Sequence, residues 1–187
     1  MIVTFLRFQG IIEKRKFFIE LPFTQSKLIT AMKDNCWSSK LAHNFLIEAG
    51  RWTIEGNWLE RNNSPLVVKG RTIIAWSQDN WFTMVTKLIF PNCDRPEISF
   101  QYRGHLDEGE RQYTYVLQQS LLGKVEGEGW IAPESIIQRY WVLGDRQRRS
   151  GFETFSRFDS NTYHLSSGIL TGHYLTSTME ATLKRQF

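Results

Sequence analysis

The sequence predicts an all-β fold, an antiparallel up-and-down barrel of ten strands preceded by a short N-terminal helix. Three observations carry this. From Gly50 onward the side-chain pattern has period two, as a strand with two unlike faces requires. Turn signals recur about every ten residues. No helix-length amphipathic stretch and no long crossover interrupts the series, so neighbouring strands are short-linked and antiparallel. The missing crossover favours a barrel over a Greek-key sandwich.

The helix is expected over 38–49. Ser38 or Ser39 can cap it, Leu41, Phe45, Leu46 and Ala49 form one stripe, and Gly50 can end it. The first strand, 50–60, alternates Trp52, Ile54, Gly56 and Trp58 with Arg51, Thr53, Glu55 and Asn57. The others are expected at 66–77, 81–90, 97–106, 111–120, 123–131, 134–143, 147–158, 162–170 and 173–184. Asn62-Asn63-Ser64-Pro65, Gln78-Asp79-Asn80, Pro91-Asn92-Cys93-Asp94, Asp107-Glu108-Gly109, Ala132-Pro133, Gly144-Asp145, Asp159-Ser160-Asn161 and Thr171-Gly172 mark turns between them. Each combines residues that tolerate turn dihedrals or bond back to their own backbone.

Composition divides the chain in two. The 187 residues include 13 Phe, 7 Trp and 6 Tyr and carry a formal charge of +4. Residues 1–31 hold five basic and two acidic residues, so most of that charge sits there, and the remainder is nearly neutral. All seven Trp lie beyond residue 31. The expected layout is a basic extension, 1–37, and a barrel domain, 38–187. Three readings of the extension stay open: a targeting segment, a docking arm rich in Phe, or a disordered or artefactual start with Met32 as the natural one. Two cysteines exclude a disulfide-stapled fold, and no apolar run approaches the roughly 20 residues of a membrane helix.

Motifs for familiar chemistry are missing. There is no phosphate-binding loop and no nucleophile elbow. Cys36, Cys93, His43, His105, His164 and His173 form no zinc spacing, so no metal is expected. His164 and His173 are expected to approach across a hairpin. Arg146, Arg148 and Arg149 cluster at a turn, but the near-neutral body and the absence of RNA-binding signatures argue against nucleic acid.

The polar residues inside strands are the remaining functional material. Arg103, Glu126, Glu128, Arg139, Glu153, Arg157 and Glu180 either face solvent or, if inward, must pair or meet a ligand, because an unpaired buried charge is too costly. Arg139, Arg157, Glu126 and Glu180 are the candidate anchors. Trp58, Phe82, Met84, Phe100, Tyr102, Tyr140 and Phe155 are the candidate lining. Alternation alone leaves the inward parity open on several strands.

Gly50-Arg51-Trp52 at the start of the first strand, with Leu183-Lys184-Arg185 at the end of the last, resembles the calycin superfamily of lipocalins and fatty-acid-binding proteins. There a cation from the barrel's end packs over the tryptophan, an attraction of roughly 0.5–2 kcal/mol. The resemblance implies that Trp52 and Arg185, or Lys184, close a barrel floor beneath the helix. It implies a carrier of a small, largely apolar, acidic ligand, with no cofactor. Lacking an export signal and disulfides, the chain is expected in the cytoplasm, as a monomer or homodimer. Bilin lyases, which share a Gly-Arg-Trp near the N-terminus, give the alternative of a phycobiliprotein lyase or chromophore chaperone handling a bilin or other tetrapyrrole. A structural or protein-interaction barrel with a filled core is the third reading. The balance favours a binding protein over an enzyme.

Overall fold

The structure is a computed structural model that describes residues 43–109 and 111–187. The extension 1–37 and the start of the expected helix lie outside these residues. The strands are β1 (Gly50–Glu60), β2 (Leu66–Trp76), β3 (Trp81–Ile89), β4 (Ile98–Leu106), β5 (Gln112–Gln119), β6 (Gly123–Ile131), β7 (Ser135–Val142), β8 (Arg149–Arg157), β9 (Thr162–Thr171) and β10 (Tyr174–Gln186). Each pairs antiparallel with its neighbours in sequence, and β1 closes on β10 to complete the barrel. Closure leaves no strand edge exposed.

The helix needs correcting. Residues 43–49 form turns, and no helix is present among the described residues. Leu46 has φ of +66°, opposite in sign to the helical value, so the chain turns there instead of continuing. The segment lies across one end of the barrel, with His43, Phe45 and Leu46 buried. No helix among the described residues is long and apolar enough to cross a membrane.

The pleat settles which face points inward. In β6, Val125, Gly127, Gly129 and Ile131 are buried while Glu126 and Trp130 are exposed. In β10, Ser177, Met179, Ala181 and Leu183 are buried beyond an irregularity between Leu175 and Ser177. The polar faces of both strands are therefore the solvent faces.

One packing device recurs. Phe82 pairs with Gly104, Tyr113 with Gly129, Tyr115 with Gly127, and Tyr140 with Gly151. In each pair the ring occupies the space that a β-carbon on the glycine would need. The glycines allow close approach by a neighbouring side chain, and the rings lie flat across the wall. This fills the β4 to β8 side of the interior. The interior is largely packed, with large side chains buried on both sides.

Candidate functional site

Among the described residues an interior cavity of about 30 Å³ is lined from β1, β2, β3, β4, β8, β9 and β10 and by Phe45. Most of its lining is apolar, including Ile54, Met84, Leu88, Phe100, Phe155 and Met179. Its polar groups are few. Thr72 and Thr86 share a hydrogen bond of 2.7 Å between their hydroxyls. Tyr102 and Glu153 stand on the same wall.

Glu153 is the chemically unusual residue. It is the one carboxylate among the described residues that is buried. In β8 it shares the inward face with Gly151 and Phe155, as alternation requires. Gln138, its partner across β7, donates from Nε2 to Glu153 Oε2. Gln138 Oε1 accepts in turn from the Tyr113 hydroxyl at 2.7 Å. The Tyr102 hydroxyl, on the same cavity, favours the charged form of the Glu153 carboxyl. Burial raises the Glu153 pKa from 4.5 to about 7, and Gln138 and Tyr102, which favour the charge, only partly oppose it. Tyr102, Tyr113, Tyr115 and Tyr140 are held above the ordinary phenol value, by burial first and then by the Glu153 charge. A group that changes protonation near neutrality thus sits in the middle of an apolar barrel.

The expected lining residues Trp58, Phe82, Met84, Phe100, Tyr102, Tyr140 and Phe155 are all buried. Met84, Phe100, Tyr102 and Phe155 border the cavity itself. The expected anchors are placed elsewhere. Glu126 and Glu180 are on the solvent face. Arg139 also points outward, pairing with Glu128 at 2.6 Å and lying 5.9 Å from the Trp141 ring centre. Their parity is opposite to that of the buried residues on the same strands. Arg157 has the inward parity but stands at the end of β8, where it pairs with Glu134 at 2.9 Å. None of the four lines the cavity. Glu153 and Gln138 supply the interior polarity instead.

The two ends of β1 are built from the same three residue types. At the start, Arg185 lies 5.9 Å from the Trp52 ring centre and pairs with Glu48 at 2.7 Å. Lys184, with the other parity, is exposed. Trp52 is buried, and its Nε1 has no hydrogen-bond partner among the described residues. The 43–49 segment seals this floor. His43 Nε2 donates to Ala132 O at 2.7 Å, which leaves Nδ1 to accept from the Tyr163 hydroxyl at 3.0 Å. Asn44 N–H donates to the same Tyr163 oxygen at 3.2 Å, and Trp76 Nε1 donates to Leu46 O at 2.8 Å. At the other end of β1, Arg95 lies over Trp58 and pairs with Glu60 at 2.7 Å.

The remaining candidates do not assemble. His164 pairs with Thr182 within the β9–β10 ladder, whereas His173 is in the turn at its far end. Arg149 is tied to Asp145 at 2.8 Å.

No protein-family model and no curated protein matches the sequence. Solved structures do match. The crystal structure of Rv2717c from M. tuberculosis superposes with a TM-score of 0.60 at 13% identity, over 74% of this chain and 92% of that one. The S-type phycobiliprotein lyase CPES from Guillardia theta gives a TM-score of 0.53 at 13% identity, over 75% of this chain and 89% of that one. At these identities the likeness establishes the fold, which is a calycin-like barrel.

Proposed function

We propose that this chain is a binding protein that takes a small, largely apolar molecule into its barrel, with Glu153 as the polar contact. The observation that carries the reading is a carboxyl on the wall of the interior cavity. Burying it is costly, and an apolar residue would fill the same space more stably. Near pH 7 its protonated form has one O–H to offer an acceptor such as a carbonyl or carboxylate oxygen. The cavity's about 30 Å³ has room for little more than water, whereas ligand pockets run to about 300–1,000 Å³. Binding on this reading requires Met84 and Met179, unbranched and adaptable, to move aside. The test is native mass spectrometry with solvent extraction on protein purified from its own host. A stoichiometric small molecule that Glu153→Gln weakens supports the reading. Uniformly ligand-free protein counts against it and favours a filled structural barrel.

A second reading is a bilin lyase or chromophore chaperone. It draws support from the likeness to an S-type phycobiliprotein lyase and from a carboxylic acid able to exchange a proton near neutrality. Mixing the protein with a bilin and recording the visible spectrum separates the two. A red-shifted band that Glu153→Gln abolishes favours the lyase reading, and an unchanged spectrum rejects it.

A further inference from the structure

The 43–49 segment lies against the floor of the interior, and the other end of β1 carries an aromatic cluster of its own. There Trp58 and Phe90 meet edge to face, with 6.0 Å between ring centres. The Arg95 guanidinium covers both rings, 4.6 Å from the Phe90 centre and 5.2 Å from that of Trp58. Arg95 comes from the connection between β3 and β4, which lacks regular structure and is tied by Cys93 N–H to Phe90 O at 3.3 Å. Its side-chain contacts therefore do much to hold it in place.

The group it binds is informative. Glu60 Oε1 receives Arg95 at 2.7 Å and the Trp58 indole N–H at 3.0 Å. Asn63 Nδ2 donates to Oε2 of the same carboxylate at 3.3 Å. Burial works against the charge on Glu60, but these donors outweigh it and hold the carboxyl below its ordinary range. Donors from three places converge on one carboxylate at the mouth of the barrel. The arrangement is an anion site that the chain fills with its own side chain.

We infer that Arg95 and Glu60 form an entrance latch that opens by exchange, the carboxylate of an incoming amphiphilic acid replacing that of Glu60. This rests on the carrier reading above. Exchange keeps the number of paired charges constant, so the guanidinium is never left over the rings without a counter-ion. A neutral molecule of equal length must break the pair and put nothing in its place. The latch therefore discriminates by charge at the entrance, before the apolar chain of the ligand reaches the cavity.

The experiment uses the full chain with dodecanoate and dodecanol as probes, below their aggregation limits, and titrates binding by calorimetry. Wild type is expected to bind the acid about tenfold more tightly than the alcohol, the worth of one charge-assisted pair. Arg95→Gln abolishes that preference. Glu60→Gln removes the internal competitor and tightens dodecanoate several-fold. If Arg95→Gln does not fold, Arg95→Lys is read instead, and it is expected to keep only part of the preference because it loses the planar fork. Equal affinity for acid and alcohol in wild type, or an unchanged preference in the Arg95 variant, overturns the latch and leaves the carrier reading standing. No binding of either probe by any of these proteins overturns both.

Discussion

The two ends of β1 make one design in two materials. At the floor, the arginine over Trp52 is Arg185, whose neighbours are hydrogen-bonded into β10. The glutamate there, Glu48, belongs to a segment fastened by His43, Asn44 and Leu46. At the mouth, the arginine over Trp58 is Arg95, from an irregular connection. The same cation, indole and carboxylate thus give a fixed closure in one place and a movable one in the other. What differs is how the backbone bearing the cation is held: Arg185 stands in a paired strand and Arg95 in an irregular connection.

The largest expected effect breaks the floor. Trp52→Ala should cost about 3–5 kcal/mol in urea unfolding, because Trp52 is buried among packed rings. Trp58→Ala should cost less, since the irregular connection beside it can collapse into the space. Equal losses would show that the mouth is as rigid as the floor.

Glu153, between the two ends, provides the next contrast. Its folded pKa is raised, so the folded state holds its proton more tightly than the unfolded chain does. Its share of the stability is full below about pH 4.5 and is lost as pH rises through about 7. Glu153→Gln should remove this dependence and raise stability above pH 8 by an amount on the order of 3 kcal/mol. A parallel shift of stability at all pH values would dismiss the carboxyl as its source.

His43 runs the other way. Its pKa is lowered, by burial first, against the bond to Ala132, with Arg157 also disfavouring the charge and Glu134 favouring it. The folded state prefers the neutral ring, so stability is full above about pH 6.5 and falls as pH drops below it. Charging turns Nδ1 into a donor facing the Tyr163 hydroxyl that now donates to it. Protection of the Ile47 and Glu48 amides, measured as exchange relative to the intrinsic rate at each pH, should therefore fall below pH 6.5, with little change in the central strands. His43→Ala should cost about 1–3 kcal/mol and abolish the acid response of those amides.

The smallest effect is the sharpest comparison. Arg185→Gln should lower stability by roughly 1 kcal/mol, from the lost cation–indole contact and ion pair. Arg95→Gln should change the melting temperature less and raise amide exchange around 90–97. The reverse order would exchange the roles given to the two ends.

Much of the barrel was legible because period two and turn chemistry are both local. The strand bounds follow from them within a residue or two. The helix was not legible, since nothing in Phe45-Leu46-Ile47 announces a left-handed φ at Leu46. The interior site was half legible. Glu153 lies in a strand, but without the parity it looked no different from Glu126 or Glu180. The missing signal was in the sequence: Tyr113-x-Tyr115 stands opposite Gly127-x-Gly129, large against small at matched spacing. Recognising that pair orients β5 and β6, and the pairings onward orient Gln138 and Glu153 as well.

Those ring-on-glycine pairs also constrain how the chain can change with time. A side chain cannot be added at Gly129 unless Tyr113 shrinks in the same lineage, whereas at Gly127 the Arg139 carbonyl oxygen blocks one even without the Tyr115 ring. Among descendants of this sequence, a glycine kept at 127 and joint substitution at 113 and 129 would preserve a record of the barrel's register after most other similarity has decayed.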